Sequence, residues 1–308
     1  MKRDFANAES SRGASDFRIM QWNMLAKALW PFDSLSICPK ETFDWENFRR
    51  WRTLQELVRY DSDIICVEEA DFYEEIKPYM SSLGYTGIFS PKFSSPCLDF
   101  ENNIGPDGPA IFFRKSMFQI INMTCGEKII VNDEINPQVF IILQLQHRPT
   151  GNLVFVVCLH LKSKIKNFSR REAQIKIVLE SIKLHLRGSW WMENLPKLEN
   201  VPLIMCGDFN GEPFENFHSL IVNDNSLKLK DAYTLPDGTK EPTTIKYRGD
   251  KGEFFKRAID YVFYNPNVLK VENYLELPKN EKSIMEKGLP NLVYSSDHLS
   301  LVCDFKFI

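Results

Sequence analysis

Seven polar residues of this 308-residue sequence stand at the ends of apolar, strand-like segments or within one. They are Asn23, Glu69, His160, Asp208, Asn210, Asp260 and His298. A carboxylate among apolar strand residues is costly to bury unless it is paired or binds a cation. A shared ligand therefore explains these positions better than chance does.

The residue types indicate a hard divalent cation rather than zinc. Oxygen donors together with Asn and His, and without cysteine, suit Mg²⁺ or Mn²⁺. Mg²⁺ usually binds one or two carboxylates and shares the oxygens of a bound phosphate, so Glu69 with Asn23 would suffice. An Asp beside a nucleophilic water and a His oriented by a second Asp would complete a site that hydrolyses phosphate esters.

The elements that must position these residues alternate between apolar segments and amphipathic stretches. Apolar segments predict strands at 17–22, 63–67, 110–113, 139–146, 153–160, 201–206, 259–264 and 299–305. Apolar spacings of three and four predict helices at 45–60, 71–83, 169–187 and 214–222. This order predicts an α/β fold of two packed mixed β-sheets flanked by helices, a four-layer α/β sandwich.

The polar N-terminal residues lack periodicity, so we predict a flexible tail at 1–16 and a single catalytic domain at 17–308. The stretch 90–109 is rich in Pro, Ser, Asn and Gly and is expected to be a long ordered loop. The stretch between 223 and 256 is expected to be irregular.

Charge and composition exclude several classes of protein. With 38 Lys and Arg against 41 Asp and Glu, the net charge of −3 argues against a bulk nucleic-acid binder. Any phosphate must then be met by a local basic cluster. No apolar run approaches the roughly 20 residues of a membrane helix, so no membrane partner is expected.

Compartment is inferred from the cysteines and the N-terminus. Seven scattered cysteines without CxxC spacing disfavour zinc and a disulfide framework, and favour a reducing compartment. The N-terminal segment has no apolar signal core and carries Asp4, Glu9 and Asp16. We therefore expect a cytoplasmic protein, or a mitochondrial one if a presequence precedes this chain.

Six motifs, in order along residues 17–305, resemble the endonuclease/exonuclease/phosphatase superfamily. They are QWN at 21–23, EEA at 68–70, HLK at 160–162, GDFN at 207–210, IDYVF at 259–263 and SSDHL at 295–299. Three further segments resemble one family of its deadenylase-like branch: PK at 91–92, SPCLDFENNIGPDGPAIFF at 95–113 and YSSDHLSLVCDFKF at 294–307. That family was long viewed as deadenylases and is now assigned hydrolysis of the 2′-phosphate of NADP⁺ and NADPH.

The resemblance implies roles for the acidic and amide residues. Glu69 resembles the metal-binding glutamate, with Asn23 beside it. Asp208 resembles the aspartate that positions or deprotonates the attacking water. Asn210 resembles its neighbour that contacts the phosphate or the transition state. Glu68 stands where the superfamily often has glutamine, and would either add a carboxylate near the metal or face solvent.

The resemblance also implies roles for the histidines and lysines. His298 resembles the histidine that stabilises the phosphoryl oxygens and is oriented by Asp260, and His160 resembles a histidine on the phosphate side. Three further residues resemble the clamp for nucleotide and phosphate: Lys92, Lys162 and Lys164. The family pattern has Arg where this chain has Lys164, and a lysine supplies charge without a bidentate fork.

Three functions are compatible with these residues. The first is Mg²⁺-dependent removal of the 2′-phosphate of NADP(H) by a monomer. The second is a poly(A)-specific 3′-exoribonuclease that releases AMP, with RNA as its partner. The third, an inactive adaptor, is disfavoured because every expected catalytic position is filled. A protein that tracks along poly(A) needs an extended basic groove with aromatic residues. No such groove is evident outside 162–171, and the basic residues of that run are also compatible with a solvent-exposed face.

Overall fold

The structure is a computed structural model. It describes residues 1, 3–7, 12–13, 16–29, 38–101, 103, 105–131, 138–188, 197–248, 253–278, 284 and 288–308. Within these ranges the strands are β1 (Asp16–Asn23), β2 (Ile64–Glu68), β3 (Tyr85–Phe89), β4 (Ala110–Arg114), β5 (Phe118–Ile129), β6 (Gln138–His147), β7 (Leu153–His160), β8 (Leu203–Asp208), β9 (Lys230–Asp231), β10 (Thr244–Arg248), β11 (Glu253–Arg257), β12 (Asp260–Tyr264), β13 (Leu269–Tyr274) and β14 (Leu301–Phe307). The α-helices are α1 (Arg50–Arg59), extended at its start by the helical turn Trp45–Arg49, α2 (Tyr73–Ser82), α3 (Phe168–Gly188) and α4 (Asn216–Val222).

The strands form two six-stranded mixed sheets, which confirms the predicted fold class. The first sheet has the order β13-β14-β1-β2-β4-β3, and the second has the order β5-β6-β7-β8-β12-β9. Strands β10 and β11 form a separate antiparallel hairpin, and an isolated bridge joins Thr244 of β10 to His298. Across the described ranges, we find no helix with the length and apolar character that crossing a membrane requires.

Alternation along the central strands builds two cores. In β7, Val154 and Val156 belong to a large apolar cluster, which also includes side chains of the other sheet, α1 and α2. Phe155 and Val157 point the opposite way and pack with Ile175 of α3. A strand buried on both faces reads as a continuous apolar run, which is why β7 was recognisable from sequence.

Strand register brings the functional residues to one edge of the sandwich. Parallel pairing of β1 with β2 places Asn23 beside Glu68. Parallel pairing of β7 with β8 places His160 beside Asp208, and antiparallel β12 places Asp260 on the other side of Asp208. The polar residues at the strand ends are therefore neighbours in space, as their positions in the sequence indicated.

Several strands were missed by the sequence prediction. Strand β5 lies at a sheet edge, is half exposed and has two bulges, so it shows little apolar periodicity. The hairpin β10–β11 lies within the stretch that was expected to be irregular. Strands β3 and β13 are also only partly buried and were not predicted.

The structure describes part of the segment 1–16, where a flexible tail was predicted, and two of the described residues contact the folded domain. The ring of Phe5 lies 4.1 Å from the guanidinium carbon of Arg18. Arg3 is buried, and its Nη1 donates a hydrogen bond of 3.0 Å to Ser300 Oγ. These contacts are made one residue at a time with distant elements, so no periodic pattern could signal them.

Candidate active site

A cleft of about 740 Å³ opens at the ends of the central strands. It is lined by eight of the ten predicted site residues: Glu69, Lys92, His160, Lys162, Lys164, Asp208, Asn210 and His298. The other two, Asn23 and Asp260, are buried and contact the lining residues from below. The structure therefore brings all ten together.

Four residues that line the cleft have a positive φ: Leu25, Glu69, Lys164 and Asn210. Two of them lie just after central strands. Glu69 follows β2 with φ of 58°, and Asn210 follows β8 with φ of 53°. Such conformations are uncommon for residues other than glycine and occur often at active sites. Local hydrogen bonds hold both: Glu69 Oε2 accepts from Ala26 N at 3.0 Å, and Asn210 N donates to Asp208 Oδ1 at 2.8 Å.

Gly207 allows β8 to approach β7 immediately before Asp208. A Cβ atom at this position would overlap the carbonyl oxygen of Leu159, its partner in the parallel pairing. Only glycine keeps the backbones close enough for this register. The glycine of the GDFN motif therefore serves the placement of the aspartate that follows it.

Asp260 and His298 form a buried pair. His298 Nδ1 lies 2.9 and 3.1 Å from the two carboxylate oxygens of Asp260, and Thr243 Oγ1 donates to Asp260 Oδ2 at 2.5 Å. This leaves His298 Nε2 facing Asp208 Oδ2 at 3.7 Å. Burial alone disfavours the imidazolium, but the carboxylates of Asp260, Asp208 and Asp297 outweigh it and raise the pKa of His298 to about 10. His298 is therefore a cation at neutral pH.

Asp208 lies at the centre of the cluster. Its Oδ2 accepts a hydrogen bond of 3.0 Å from Asn23 Nδ2 and lies 3.5 Å from His160 Nε2. Burial raises the pKa of Asp208, although the imidazole of His298 opposes the shift. A buried carboxylate with a raised pKa is suited to accept a proton from water.

His160 is the uncharged histidine of the site. Its Nε2 accepts a hydrogen bond of 2.8 Å from Asn210 Nδ2, which leaves the ring proton on Nδ1. Burial lowers the pKa of His160 to about 4, with a further contribution from the positive charge of Lys92. The two histidines thus carry different charges at neutral pH, which suits different roles around one phosphate.

Glu69 and Asn23 were predicted to hold the metal ion. Asn23 Nδ2 donates to Glu69 Oε1 at 3.2 Å as well as to Asp208, so the two carboxylates are neighbours. Asn23 Oδ1 accepts from Leu25 N at 3.0 Å and does not face the carboxylates in this structure. Metal binding by Asn23 stays a prediction, while its amide visibly orients both acids.

The donor set fits a hard cation. Glu69 and Asp208 offer carboxylate oxygens at the cleft, and such oxygens suit Mg²⁺ or Mn²⁺. Asp208, Asp260 and His298 also offer three atoms within 4.8 Å of one another. Since Asp260 and His298 already bond each other, the pair Glu69 and Asp208 is the more accessible set for an ion.

Glu68 follows neither of its two expected roles. It is fully buried between the sheets, where Gln21 Nε2 donates to its Oε2 at 2.8 Å and Cys158 Sγ donates to its Oε1 at 3.3 Å. Burial raises the pKa of Glu68 well above its usual value, which favours the uncharged form. Glu68 does not line the cleft.

Lys92 is held at one wall of the cleft by the predicted loop 90–109. Its ammonium forms an ion pair with the buried carboxylate of Asp107, which also accepts from Ser95 Oγ at 2.5 Å. Burial opposes ionisation of Asp107, but the charge of Lys92 prevails and lowers the pKa of that carboxyl. Contacts within the loop therefore fix the position of Lys92 at the cleft.

Three basic residues near the site were missed by the sequence analysis: Lys246 and Arg257, which line the cleft, and the buried Arg49. Lys246 of β10 lines the cleft and forms an ion pair with Asp297, the neighbour of His298. Arg49 is fully buried and donates to the carbonyl oxygens of Met24 and Ser295. Recognising Lys246 would have required predicting β10, whose short Thr-Ile-Lys-Tyr pattern gave the only signal.

Comparison with known proteins agrees with this geometry. A profile described as "Endonuclease/Exonuclease/phosphatase family" matches residues 20–298. Nocturnin of Rattus norvegicus is 39% identical over 314 residues, covering 99% of this chain and 70% of the relative. The chain is a nocturnin-like member of this family. The human Nocturnin catalytic domain, solved with bound sulfate, superposes with a TM-score of 0.79 at 33% identity, covering 100% of this chain and 97% of that one.

More distant relatives place the family in context. The 3′-5′-exoribonuclease subunit Ccr4 of Saccharomyces cerevisiae is 23% identical over 95% of this chain and 39% of its own length. ANGEL2, described as a 2′,3′-cyclic phosphatase, has a TM-score of 0.79 at 23% identity over 100% of this chain and 99% of its own, and this likeness shows the fold. The chain thus belongs to a family of hydrolases that includes nucleases and phosphatases.

Proposed function

We propose that this protein is a Mg²⁺-dependent phosphatase that removes the 2′-phosphate of NADP⁺ and NADPH, giving NAD(H) and inorganic phosphate. One observation carries the proposal: five lysines line the cleft of a chain whose net charge is −3. They are Lys92, Lys162, Lys164, Lys166 and Lys246. A compact cluster of positive charge inside an acidic protein suits a small, highly charged ligand better than a polyanion.

The dimensions of the cleft support a dinucleotide. A volume of about 740 Å³ lies within the range of cofactor-sized sites. Beyond the lysines, the walls include Leu25, Tyr247 and Phe255, which offer apolar surface for the nucleoside parts. The human Nocturnin catalytic domain was solved with a bound sulfate, a tetrahedral anion like phosphate.

The side chains account for hydrolysis as follows. Mg²⁺ held by Glu69, whose carboxylate Asn23 orients, would supply polarisation of the phosphoryl oxygens. Asp208 accepts a proton from the attacking water, whose oxygen bonds to phosphorus as the bond to the ribose 2′-oxygen breaks. His298, cationic and oriented by Asp260, donates a hydrogen bond to the phosphoryl group as its charge develops. The proton that Asp208 accepted completes the ribose hydroxyl.

The second candidate is a poly(A)-specific 3′-exoribonuclease that releases AMP. The similarity to the exoribonuclease subunit Ccr4 favours it, since the same acids and histidines can hydrolyse a phosphodiester. Against it stands the small extent of the basic surface, because single-stranded RNA is usually bound along a positively charged groove with aromatic platforms.

Separate incubations with NADPH and with an adenosine oligonucleotide test the proposal. With Mg²⁺ present, we expect phosphate release from NADPH and NADH as the chromatographic product, both abolished in the Asp208→Asn control. Release of AMP from the oligonucleotide with NADPH left intact would establish the exoribonuclease instead.

A further inference from the structure

Arg171 belongs to the basic run that sequence alone could assign to a solvated face, yet its side chain is completely buried. It lies in the first turn of α3, directly behind the loop that carries Lys162 and Lys164. A buried guanidinium requires partners for its donors, since leaving them unpaired is costly. Its partners show what the residue does.

One edge of the guanidinium binds the lysine loop. Nη1 of Arg171 donates to the carbonyl oxygens of Lys162 at 3.0 Å and Lys164 at 2.9 Å. One helical turn later, Gln174 is also buried, and its Oε1 accepts from Lys162 N at 3.0 Å. The loop is thus held through its backbone, and Lys164 is kept at φ of 76°, a conformation that lysine rarely adopts.

The other edge binds the segment that follows the catalytic turn. Nε and Nη2 donate to the two carboxylate oxygens of Glu215 at 2.8 and 2.9 Å. A Cβ on Gly211, the residue after Asn210, would come within 3.0 Å of Arg171 Nε, so the turn packs directly on this ion pair. Arg171 therefore joins the lysine loop to the turn that carries Asp208.

We propose that Arg171 is a positioning residue that sets where Lys162 and Lys164 meet the 2′-phosphate relative to Asp208. The inference rests on the proposed function, because it takes those lysines as the phosphate-binding groups. The planar fork of an arginine serves two carbonyls and a carboxylate at once, and a lysine in its place cannot. Loss of the fork therefore misplaces the loop without removing either lysine.

Arg171→Lys is the informative variant, because it keeps a positive charge beside Glu215. We expect it to raise KM for NADPH by about tenfold while kcat changes little, since the catalytic acids stay in place. Arg170→Lys, the same substitution one residue earlier, is the matched control and should leave both constants unchanged. A fall in kcat at constant KM would overturn the assignment.

A binding measurement separates this inference from the proposed function. In the Asp208→Asn background with Mg²⁺, the dissociation constants of NADPH and NADH give the contribution of the 2′-phosphate. We expect the parent to prefer NADPH by roughly tenfold or more, because NADH lacks the charged group that the lysines bind, and Arg171→Lys to lose most of this preference. A parent without preference would overturn the proposed function and the inference together, whereas a preference that Arg171→Lys leaves intact would overturn the inference alone.

Gln174→Met provides a second variant, because it loosens the same loop while leaving the Arg171–Glu215 ion pair untouched. It should reduce the preference for NADPH over NADH in the same direction as Arg171→Lys, by a smaller factor. A double-mutant cycle completes the test: Lys164→Ala should weaken NADPH binding by a smaller factor in the Arg171→Lys background than in the parent. Full additivity would show that Arg171 does not act through the loop, and would overturn the proposal.

Discussion

At the scale of single residues, the site works by giving similar groups different charges. Burial and three carboxylates act in opposite directions on His298 and leave its pKa at about 10, whereas burial prevails at His160 and leaves its pKa at about 4. One imidazole is then a cation and the other is neutral between these limits. This division allows one histidine to meet developing negative charge while the other accepts a hydrogen bond from Asn210.

The charge of His298 predicts that activity falls at alkaline pH. Because its pKa is raised, the proton is present at neutral pH and is lost as the pH rises towards about 10, and activity should fall there. Asp260 is the carboxylate that contributes most to the raised pKa, so Asp260→Asn should move this fall in activity to lower pH. The measurement is kcat against pH for both proteins; an unchanged profile would show that Asp260 does not act through His298.

Glu69 carries the prediction about the metal ion. Glu69→Gln keeps the size of the side chain but removes the charge, so activity should fall by a factor of at least about a hundred and require more Mg²⁺ for what remains. The melting temperature should stay close to that of the parent, since the group lies at the cleft surface. Undiminished turnover in this variant, or in excess EDTA, would refute the assignment.

At the scale of elements, the apolar pattern of the sequence predicted the strands that are buried on both faces and missed strands that are partly exposed. The segments 63–67, 153–160 and 201–206 have strand partners on both sides and were found, because burial on two faces leaves an uninterrupted apolar run. The half-exposed β5 and the hairpin β10–β11 were missed, since packing against neighbours rather than intrinsic propensity makes them strands. Lys246 was missed for the same reason, although the residues predicted at strand ends either line the cleft or contact residues that line it.

The contact between β7 and β8 carries a prediction about stability. Gly207→Ala should destabilise the fold by about 1–3 kcal/mol or more, because the added methyl group overlaps the carbonyl of Leu159. Gly126→Ala is the control: its φ of 80° is also positive, but nothing lies within 4 Å of the added atom. Chemical denaturation should place Gly207→Ala clearly below Gly126→Ala, and equal midpoints would contradict the packing argument.

At the scale of the whole molecule, an acidic chain concentrates positive charge inside one cleft. The net charge of −3 coexists with five lysines around the catalytic acids. Composition predicted that a phosphate would need a local cluster, and the family resemblance grouped Lys92, Lys162 and Lys164, but only the fold shows that Lys246 shares their cleft. Chain order could not reveal this for Lys246, whose strand was not predicted.

This distribution predicts unequal roles for two of the lysines. Lys162→Ala should weaken NADPH binding by roughly 1.5–3 kcal/mol, as expected for a lost hydrogen bond to a charged group. Lys164→Arg should be tolerated or improve affinity, because arginine keeps the charge and adds a fork. Titration of NADPH against both variants tests this; a harmless Lys162→Ala or a damaging Lys164→Arg would show that the clamp is arranged differently.

The central claim concerns the substrate, and a competition in one tube tests it most directly. The pure protein with Mg²⁺ receives NADPH and an adenosine oligonucleotide together, and the initial rates of phosphate and AMP release give the ratio of the two kcat/KM values. We predict that phosphate and NADH form first, with the oligonucleotide left at full length and no product of either kind in the Asp208→Asn protein. Preferential release of AMP while NADPH persists would contradict the account.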